Sequence, residues 1–193
     1  MQLTQQNPDV SGTNSMPRLF IAIDMPEQVQ DQISDLYTAI QGARWVPQDQ
    51  LHITMRFIGE TDIHTETSII TALEHIRFEP FHITVKSTGF FPLRKDPQVL
   101  WVGIDKNTEL EKLQHAIERS LTALGIKTEG RTFHPHVTVA RLDRPHKERV
   151  VQFITDNHLF KTEPFEVTEF HLYRSYPGKN GAQYVREASF VSE

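Results

Sequence analysis

The sequence contains no cysteine among its 193 residues. Disulfide bonds, a thiol nucleophile and a cysteine-ligated metal site are therefore excluded. The absence of cysteine is compatible with a reducing compartment, and we expect a cytoplasmic protein. The sequence also lacks an apolar run long enough to span a bilayer, so we expect no membrane association.

An excess of positive charge is missing as well, since 20 Lys and Arg residues against 25 Asp and Glu residues give a net charge of −5. Proteins that hold a long stretch of nucleic acid are usually basic. Basic residues nevertheless outnumber acidic ones within 131–149, and residues 171–186 include no acid. These stretches could form a solvated basic face or a site for one phosphate at an RNA end, but the overall balance argues against an extended groove.

Several common catalytic motifs are absent: the Gly-x-Ser-x-Gly turn, the glycine-rich phosphate loop and the helical pair of histidines with a central glutamate. His134 and His136 flank a proline, which could suggest metal ligands. Threonine accompanies them rather than carboxylate or cysteine, and this disfavours a metal. We therefore expect neither a metal nor a cofactor.

A pattern of four residues occurs twice, as His52-Ile-Thr-Met55 and as His136-Val-Thr-Val139, with one copy in each half of the chain. Polar and apolar residues alternate in both copies, which predicts half-buried strands whose histidine and threonine share a face. Two such strands facing each other would surround a phosphate with hydroxyl donors and with two imidazoles that exchange protons near neutral pH.

His82, Arg56 and Arg141 are further candidates. His82, in Phe81-His-Ile-Thr-Val85, repeats the pattern but has no counterpart in the other half, so we expect it to be structural. Strict alternation places Arg56 on the face of His52. The same alternation places Arg141 on the face opposite His136, unless a bulge or the strand end turns it inward. Either arginine could clamp a phosphate or lie on the surface.

Hydrophobic periodicity predicts the element order β-α-β-α-β-β followed by α-β-α-β-β. It predicts an α+β fold of two pseudo-symmetric lobes whose antiparallel sheets line a central cleft. Residues 18–193 are expected to form a single domain, and the polar residues 1–17 a disordered leader. The predicted helices cover about 26–42, 65–76 and 108–124, with a fourth opening at Pro145, and the predicted strands cover 18–23, 51–58, 81–88, 99–104, 136–142, 165–173 and 182–191.

Several stretches together resemble the two-histidine phosphoesterases, and within them the bacterial and archaeal RNA 2′,3′-cyclic phosphodiesterases once called 2′-5′ RNA ligases. The resemblance extends from Arg18 to Phe190. Besides both motifs, it rests on Arg18-Leu-Phe-Ile-Ala-Ile, Arg44-Trp-Val-Pro, Gly89-Phe-Phe-Pro, Val99-Leu-Trp-Val-Gly, Leu172-Tyr-Arg-Ser and Gly181-Ala-Gln-Tyr. Met55 stands where the family usually has leucine, on the side away from the cleft.

The resemblance implies metal-independent opening of 2′,3′-cyclic phosphates, at RNA ends or on nucleotides, to 2′-phosphates. It implies that His52 is the proton donor and His136 the proton acceptor, that Thr54 and Thr138 contact the phosphate, and that Arg141 faces the substrate. The residues alone leave the assignment of acid and base open, because the two motifs are nearly equivalent. The reverse reaction would appear as 2′-5′ RNA ligation. We expect the protein to act as a monomer.

Two other functions fit the same residues. The same fold could act on a small cyclic nucleotide or on a 2′-5′ oligoadenylate. Alternatively, the histidines could bind phosphate without catalysis, in a nucleotide- or RNA-end-binding module.

Overall fold

The computed structural model describes residues 18–93, 95–178 and 181–193, so the predicted leader, residues 1–17, lies outside the described residues. In this part of the chain there are four α-helices, ten strands and a short 3₁₀ helix at Gln48–Gln50. The helices are α1 (Glu27–Ser34), α2 (Ile63–Leu73), α3 (Thr108–Ala123) and α4 (Lys147–Asp156). The strands are β1 (Arg18–Asp24), β2 (Ala43–Trp45), β3 (His52–Glu60), β4 (Phe81–Ile83), β5 (Val85–Phe91), β6 (Val99–Ile104), β7 (His136–Leu142), β8 (Phe165–Val167), β9 (Glu169–Tyr176) and β10 (Gln183–Val191).

The two motif strands, β3 and β7, lie side by side in the middle of an eight-stranded sheet. Its order is β10-β9-β1-β3-β7-β6-β5, with β2 attached to β7, and the described pairings are antiparallel. Outward from the centre, β1 and β9 on one side correspond to β6 and β5 on the other. This arrangement confirms the predicted α+β class, while the division into two lobes stays a prediction.

Helices cover the sheet because their apolar residues recur at helical spacing. On α3, Leu110, Leu113, Ile117 and Leu121 are all buried, as expected for an amphipathic helix packed on a sheet. The side chain of Asn107 caps this helix by accepting a hydrogen bond from the backbone N–H of Leu110 at 2.9 Å. No helix in the described ranges is long and apolar enough to cross a membrane.

Two predicted strands are each divided in the structure. The predicted strand 81–88 becomes β4 and β5, and 165–173 becomes β8 and β9; β4 pairs only with β8, in a separate two-stranded sheet. Alternation alone did not reveal the division, because a chain that passes between sheets keeps its alternating pattern. His82 lies in β4 with an exposed side chain, in a sheet that does not contain the motif strands.

Two predicted boundaries near the first motif also differ. The first helix ends at Ser34 rather than near Gly42, although Leu36 and Tyr37 still pack against the core. Trp45 belongs to β2, a short strand that is absent from the predicted elements. The helical spacing of apolar residues continues past Ser34 because Leu36 and Tyr37 pack against the core from an irregular segment.

Candidate active site

His52, Thr54 and Thr138 line one cavity of about 610 Å³. They are half-buried, whereas Ile53, Val137 and Val139 between and beside them are fully buried. Ile53 lies opposite Val137 in the antiparallel pair β3–β7, so the same register places His52 across from Thr138 and Thr54 across from His136. The sheet therefore brings the two motifs together. His136 is not among the residues that line the cavity, but it is close enough for its charge to act on His52.

The two histidines have the same local hydrogen bond. Nδ1 of His52 lies 2.8 Å from the carbonyl oxygen of Gln50, and Nδ1 of His136 lies 2.7 Å from that of His134. A carbonyl only accepts, so Nδ1 carries the proton and donates it in both residues. Each ring is thereby fixed in orientation and tautomer, and Nε2 is the nitrogen left for a substrate.

Burial lowers the pKa of His52 below its ordinary value of 6.5. Its ring packs against Phe20 and Tyr184, with ring centroids 5.0 and 5.4 Å away. The Gln50 carbonyl and the Asp24 carboxylate partly offset this effect, while the charges of His136 and Arg141 add to it. The free site therefore favours a neutral imidazole at pH 7.

The pKa of His136 is lowered for the same main reason, burial, and the nearby charge of His134 lowers it further. Its ring packs against Phe91 and Trp101, at centroid distances of 5.2 and 6.3 Å. Trp101 can lie here because position 89 is glycine: a Cβ on Gly89 would come within 2.2 Å of the indole ring. No carboxylate among the described residues contributes to the pKa of His136 as Asp24 does to that of His52.

A β-bulge lies at the last residue of each motif and reverses the alternation of the strand. Ile21 and Ala22 of β1 pair with Arg56 and Thr54, which leaves Met55 as the extra residue in β3. Leu100 and Trp101 of β6 pair with Ala140 and Thr138, which leaves Val139 as the extra residue in β7. The residue five places after each histidine therefore reaches the cavity.

The bulge at Met55 makes the predicted position of Arg56 wrong. Arg56 is only 4% exposed and faces away from His52, donating from Nε to Glu118 at 2.7 Å and from Nη2 to the carbonyl of Lys127. Phe57, which is 53% exposed, lines the cavity instead. Strict alternation would turn Arg141 away from His136 unless a bulge intervened. The bulge at Val139 does intervene, and Arg141 lines the cavity.

The cavity lining also includes aromatic and basic side chains. It includes Phe20, Trp45 and Tyr184, together with Arg18 and Arg44, and none of the described lining residues is a carboxylate. The motif search missed Arg44 and Phe57 as site residues. The spacing of five from each histidine could have indicated Phe57 once Arg141 was considered, whereas Arg44 lies in a short strand that periodicity does not detect.

Behind His52, Asp24 lies at the centre of a partly buried polar cluster. Its carboxylate accepts hydrogen bonds from the Tyr173 hydroxyl at 2.8 Å and from Arg186 Nη2 at 2.5 Å. The buried His171 places Nε2 3.6 Å from the same carboxylate and Nδ1 2.9 Å from the Ser189 hydroxyl. Asp24 is the register partner of His52 across β1 and β3, so the cluster places a carboxylate beside one of the two histidines.

A larger cavity of about 790 Å³ lies elsewhere, between α3 and residues 77–81, and contains none of the motif residues. Its rim mixes Arg77 and Lys112 with Glu79 and Glu109. In the described ranges no group of three or more histidine, aspartate or glutamate residues is arranged to hold a metal ion. The chemistry that the residues suggest is therefore concentrated in the cavity of His52.

Comparison with known proteins gives matches over most of the chain. The family model described as the 2′-5′ RNA ligase superfamily matches residues 25–179. The chain is 31% identical over 179 residues to an RNA 2′,3′-cyclic phosphodiesterase of Methanocaldococcus jannaschii, covering 86% of this chain and 96% of the relative. It is 28% identical over 170 residues to an RNA 2′,3′-cyclic phosphodiesterase of Archaeoglobus fulgidus, with the same coverage of 86% and 96%.

Among solved structures, the chain is similar to E. coli LigT complexed with 3′-AMP. The TM-score is 0.73 and the sequences are 26% identical, with 91% of this chain and 98% of that chain covered. The likeness thus extends over most of the chain.

Proposed function

The chain belongs to the 2′-5′ RNA ligase superfamily, and from that premise we propose that it hydrolyses RNA 2′,3′-cyclic phosphate ends to 2′-phosphate ends. The observation that carries the proposal is the pair of histidines, each with Nδ1 bound to a backbone carbonyl and Nε2 free. Relatives named RNA 2′,3′-cyclic phosphodiesterase support the substrate class. The LigT complex with 3′-AMP supports a nucleotide in the cavity.

In the proposed reaction, a water oxygen attacks phosphorus and the bond between phosphorus and O3′ breaks. Nε2 of His136 takes the water proton, and Nε2–H of His52 donates a proton to O3′ as it leaves. The products are a 3′-hydroxyl and a 2′-phosphate, and solvent returns the two histidines to their starting states. The same path with a 5′-hydroxyl in place of water would give a 2′-5′ linkage, again with O3′ as the leaving group.

The asymmetry of charge supports His52 as the proton donor. Asp24 lies beside His52 and favours its protonated form, whereas His134 disfavours the protonated form of His136. Thr54 and Thr138 would donate hydrogen bonds to the non-bridging oxygens, where negative charge increases in the transition state. Arg141 would contact a substrate phosphate with a charge-assisted hydrogen bond.

We also propose that residues 18–193 act as one domain and as a monomer in the cytoplasm. One hydrophobic cluster joins the described elements of both halves, which supports a single domain.

The test is turnover of a short RNA that ends in a 2′,3′-cyclic phosphate, with EDTA present and the product end identified. We expect wild type to yield a 2′-phosphate, and His52→Ala and His136→Ala each to lose about 10²- to 10⁴-fold in rate. His82→Ala is the matched control, since it removes the same motif from a different sheet, and it should retain activity. Binding without turnover by wild type would favour the binding module, and activity surviving both motif substitutions would overturn the proposed site.

A further inference from the structure

A group of side chains lies behind the proton donor, outside the cavity. Asp24 of β1 is the register partner of His52 of β3, and side chains at such opposite positions share one face of a sheet, with Cβ atoms about 5 Å apart. Tyr173 of β9 and Arg186 of β10 reach the Asp24 carboxylate from the other side, since β9 and β10 lie beyond β1 in the sheet order. Neither Tyr173 nor Arg186 is among the described residues of the cavity lining. They therefore act on the cavity through the residues in front of them.

The contacts of Asp24 fix the position of its carboxylate. The Tyr173 hydroxyl lies 2.8 Å from both carboxylate oxygens, and Arg186 donates from Nη2 to Oδ2 at 2.5 Å. Arg186 also donates from Nε to the Tyr173 hydroxyl at 3.3 Å, and its guanidinium carbon lies 5.8 Å from the centre of the Tyr173 ring. The three side chains thus form a closed set, in which each one contacts the other two.

Tyr173 is also connected to the ring of His52 by aromatic packing. The rings of Tyr173 and Phe20 are stacked, with centroids 5.3 Å apart and an interplanar angle of 17°, and Phe20 packs against His52. Tyr184, which precedes Arg186 by two residues on β10, contacts His52 with its own ring. Strands β1, β9 and β10 therefore support the imidazole and place the Asp24 charge beside it.

Asp24 and Arg186 form an ion pair whose negative end is the nearer one to His52, because Asp24 lies on the adjacent strand and Arg186 two strands further out. Besides burial, the charges of His136 and Arg141 lower the pKa of His52. The Asp24 carboxylate raises that pKa. The guanidinium opposes the carboxylate, so the pair favours the protonated imidazole less than a lone carboxylate would.

Two further ionisable groups face this set from β9. Nε2 of the buried His171 lies 3.6 Å from Asp24 and 3.8 Å from Glu169. Burial lowers the pKa of His171, so its ring is mainly neutral at pH 7 and adds little charge. The charge beside the proton donor is therefore decided by Asp24 and Arg186.

Resting on the function proposed above, we propose that Tyr173 and Arg186 are positioning residues for the proton donor. Tyr173 fixes the Asp24 carboxylate beside His52, and Arg186 limits the negative charge that acts on the imidazole. An unopposed carboxylate would keep the proton on His52 and make it a weaker acid, whereas the cation without the carboxylate would leave His52 neutral. The ion pair holds the donor between these two extremes.

The test is an NMR titration of the His52 Cε1–H signal in the free enzyme, assigned by its loss in His52→Gln. Arg186→Gln should raise the titration midpoint of His52 by about half a pH unit, since charges interact weakly across partly exposed protein. Asp24→Asn should lower the midpoint, and the double variant should lie between the two single variants. The alkaline limb of kcat/KM on an RNA with a 2′,3′-cyclic phosphate end should move in the same directions.

Three conservative variants separate this role from a purely structural one. Arg186→Lys keeps the cation and should keep the midpoint of wild type. Tyr173→Phe keeps the stacked ring but frees the carboxylate, so the midpoint should move part of the way towards that of Asp24→Asn. Arg144→Gln is the matched control for loss of a charge, because Arg144 lies just beyond β7, is 92% exposed and does not line the cavity. Its midpoint should equal that of wild type.

A midpoint that stays constant or falls in Arg186→Gln, in a variant that is folded by circular dichroism, would overturn the inference. A shift in Arg186→Lys as large as that in Arg186→Gln would also overturn it. Both outcomes leave the proposed function intact as long as wild type hydrolyses the RNA end. Absence of hydrolysis by wild type would overturn the proposed function, and with it the part that these residues take in proton transfer.

Discussion

In each motif histidine Nδ1 is hydrogen-bonded to a backbone carbonyl, which leaves Nε2 for the substrate. Catalysis therefore depends on whether Nε2 carries a proton. Burial lowers the pKa of both imidazoles below 6.5. Both are then mainly neutral at pH 7, which suits a general base but leaves the general acid short of its proton. A bound phosphate anion would favour the imidazolium and offset the charge of Arg141.

The lowered pKa values predict where the free enzyme works best. The quantity kcat/KM reports the protonation of the free enzyme, so its profile should be bell-shaped with a maximum below pH 6.5. It should fall as the pH rises above that value, because the proton donor is lost. The two limbs belong to the coupled pair rather than to one residue. Initial rates at low substrate concentration, measured from pH 5 to 8, check this expectation.

Asp24→Asn provides the comparison for that profile. The Asp24 carboxylate raises the pKa of His52, so its neutralisation should move the alkaline limb to lower pH. Asparagine keeps an oxygen that can accept the hydrogen bond from Tyr173. A profile that is flat from pH 5 to 8, or a limb that does not move in Asp24→Asn, would contradict the acid–base role given to His52.

At the scale of the strand, the bulges decide which side chains reach the substrate. Without the extra residue Met55, Arg56 would line the cavity and Phe57 would be buried. With it, Arg56 is buried in a network with Glu118 on α3, and Phe57 is presented to solvent in the cavity. The same irregularity in β7 places Arg141 at the position that corresponds to Phe57, so one half supplies an aromatic ring and the other a cation.

Alanine substitutions of Arg56 and of Phe57 should therefore affect different properties, stability for Arg56 and substrate binding for Phe57. Arg56→Ala should lower the free energy of unfolding by about 3 kcal/mol, because it leaves Glu118 and a backbone carbonyl without their partner. Phe57→Ala should change stability by less than about 1 kcal/mol. It should raise KM about tenfold, since stacking on a nucleobase contributes about 1–3 kcal/mol. Urea denaturation and steady-state kinetics on both variants test these expectations. A stable Arg56→Ala with a raised KM, together with an unstable Phe57→Ala, would show that the bulge is not at Met55.

The sequence predicted the motif strands well because an alternating pattern is a local property of the chain. It could not predict Arg56 correctly, because a bulge depends on the register that β1 imposes from elsewhere in the sequence. The division of 81–88 and of 165–173 has a similar cause, since β4 and β8 leave the main sheet only by pairing with each other. The position of Arg44 in the cavity lining follows from the pairing of β2 with β7, which local sequence patterns do not reveal.

At the scale of the whole molecule, three histidines with lowered pKa values lie on strands of the main sheet that both halves of the chain contribute. Burial lowers the pKa of His52, His136 and His171 alike. His171 lies behind the cavity, on β9, and its pKa is raised in part by Asp24 and lowered by Arg186. The folded state therefore holds three histidines neutral at a pH where the unfolded chain, with values near 6.5, begins to bind protons.

This difference makes the folded protein sensitive to mild acid. Below about pH 6.5 the unfolded state binds more protons than the folded state, so the free energy of unfolding rises with pH in this window. The stabilisation is complete above the unfolded value and is lost as the pH falls towards the lowered values of the folded state. Urea denaturation midpoints at pH 7.5, 6.5 and 5.5, at constant ionic strength, should decrease in that order. Most carboxylates titrate below this range and contribute little to the trend.

His136→Gln tests the source of the effect. Glutamine keeps a donor that can bond the carbonyl of His134 but does not titrate, so the difference in stability between pH 7.5 and 5.5 should be smaller than in wild type. His52→Gln should also reduce the difference in stability between pH 7.5 and 5.5. The double variant should reduce this difference further, because each histidine contributes separately to the pH dependence of stability. Midpoints that stay constant or rise on acidification in wild type would mean that the folded state accommodates the charged imidazoles, and the neutral resting state inferred for the active site would then be wrong.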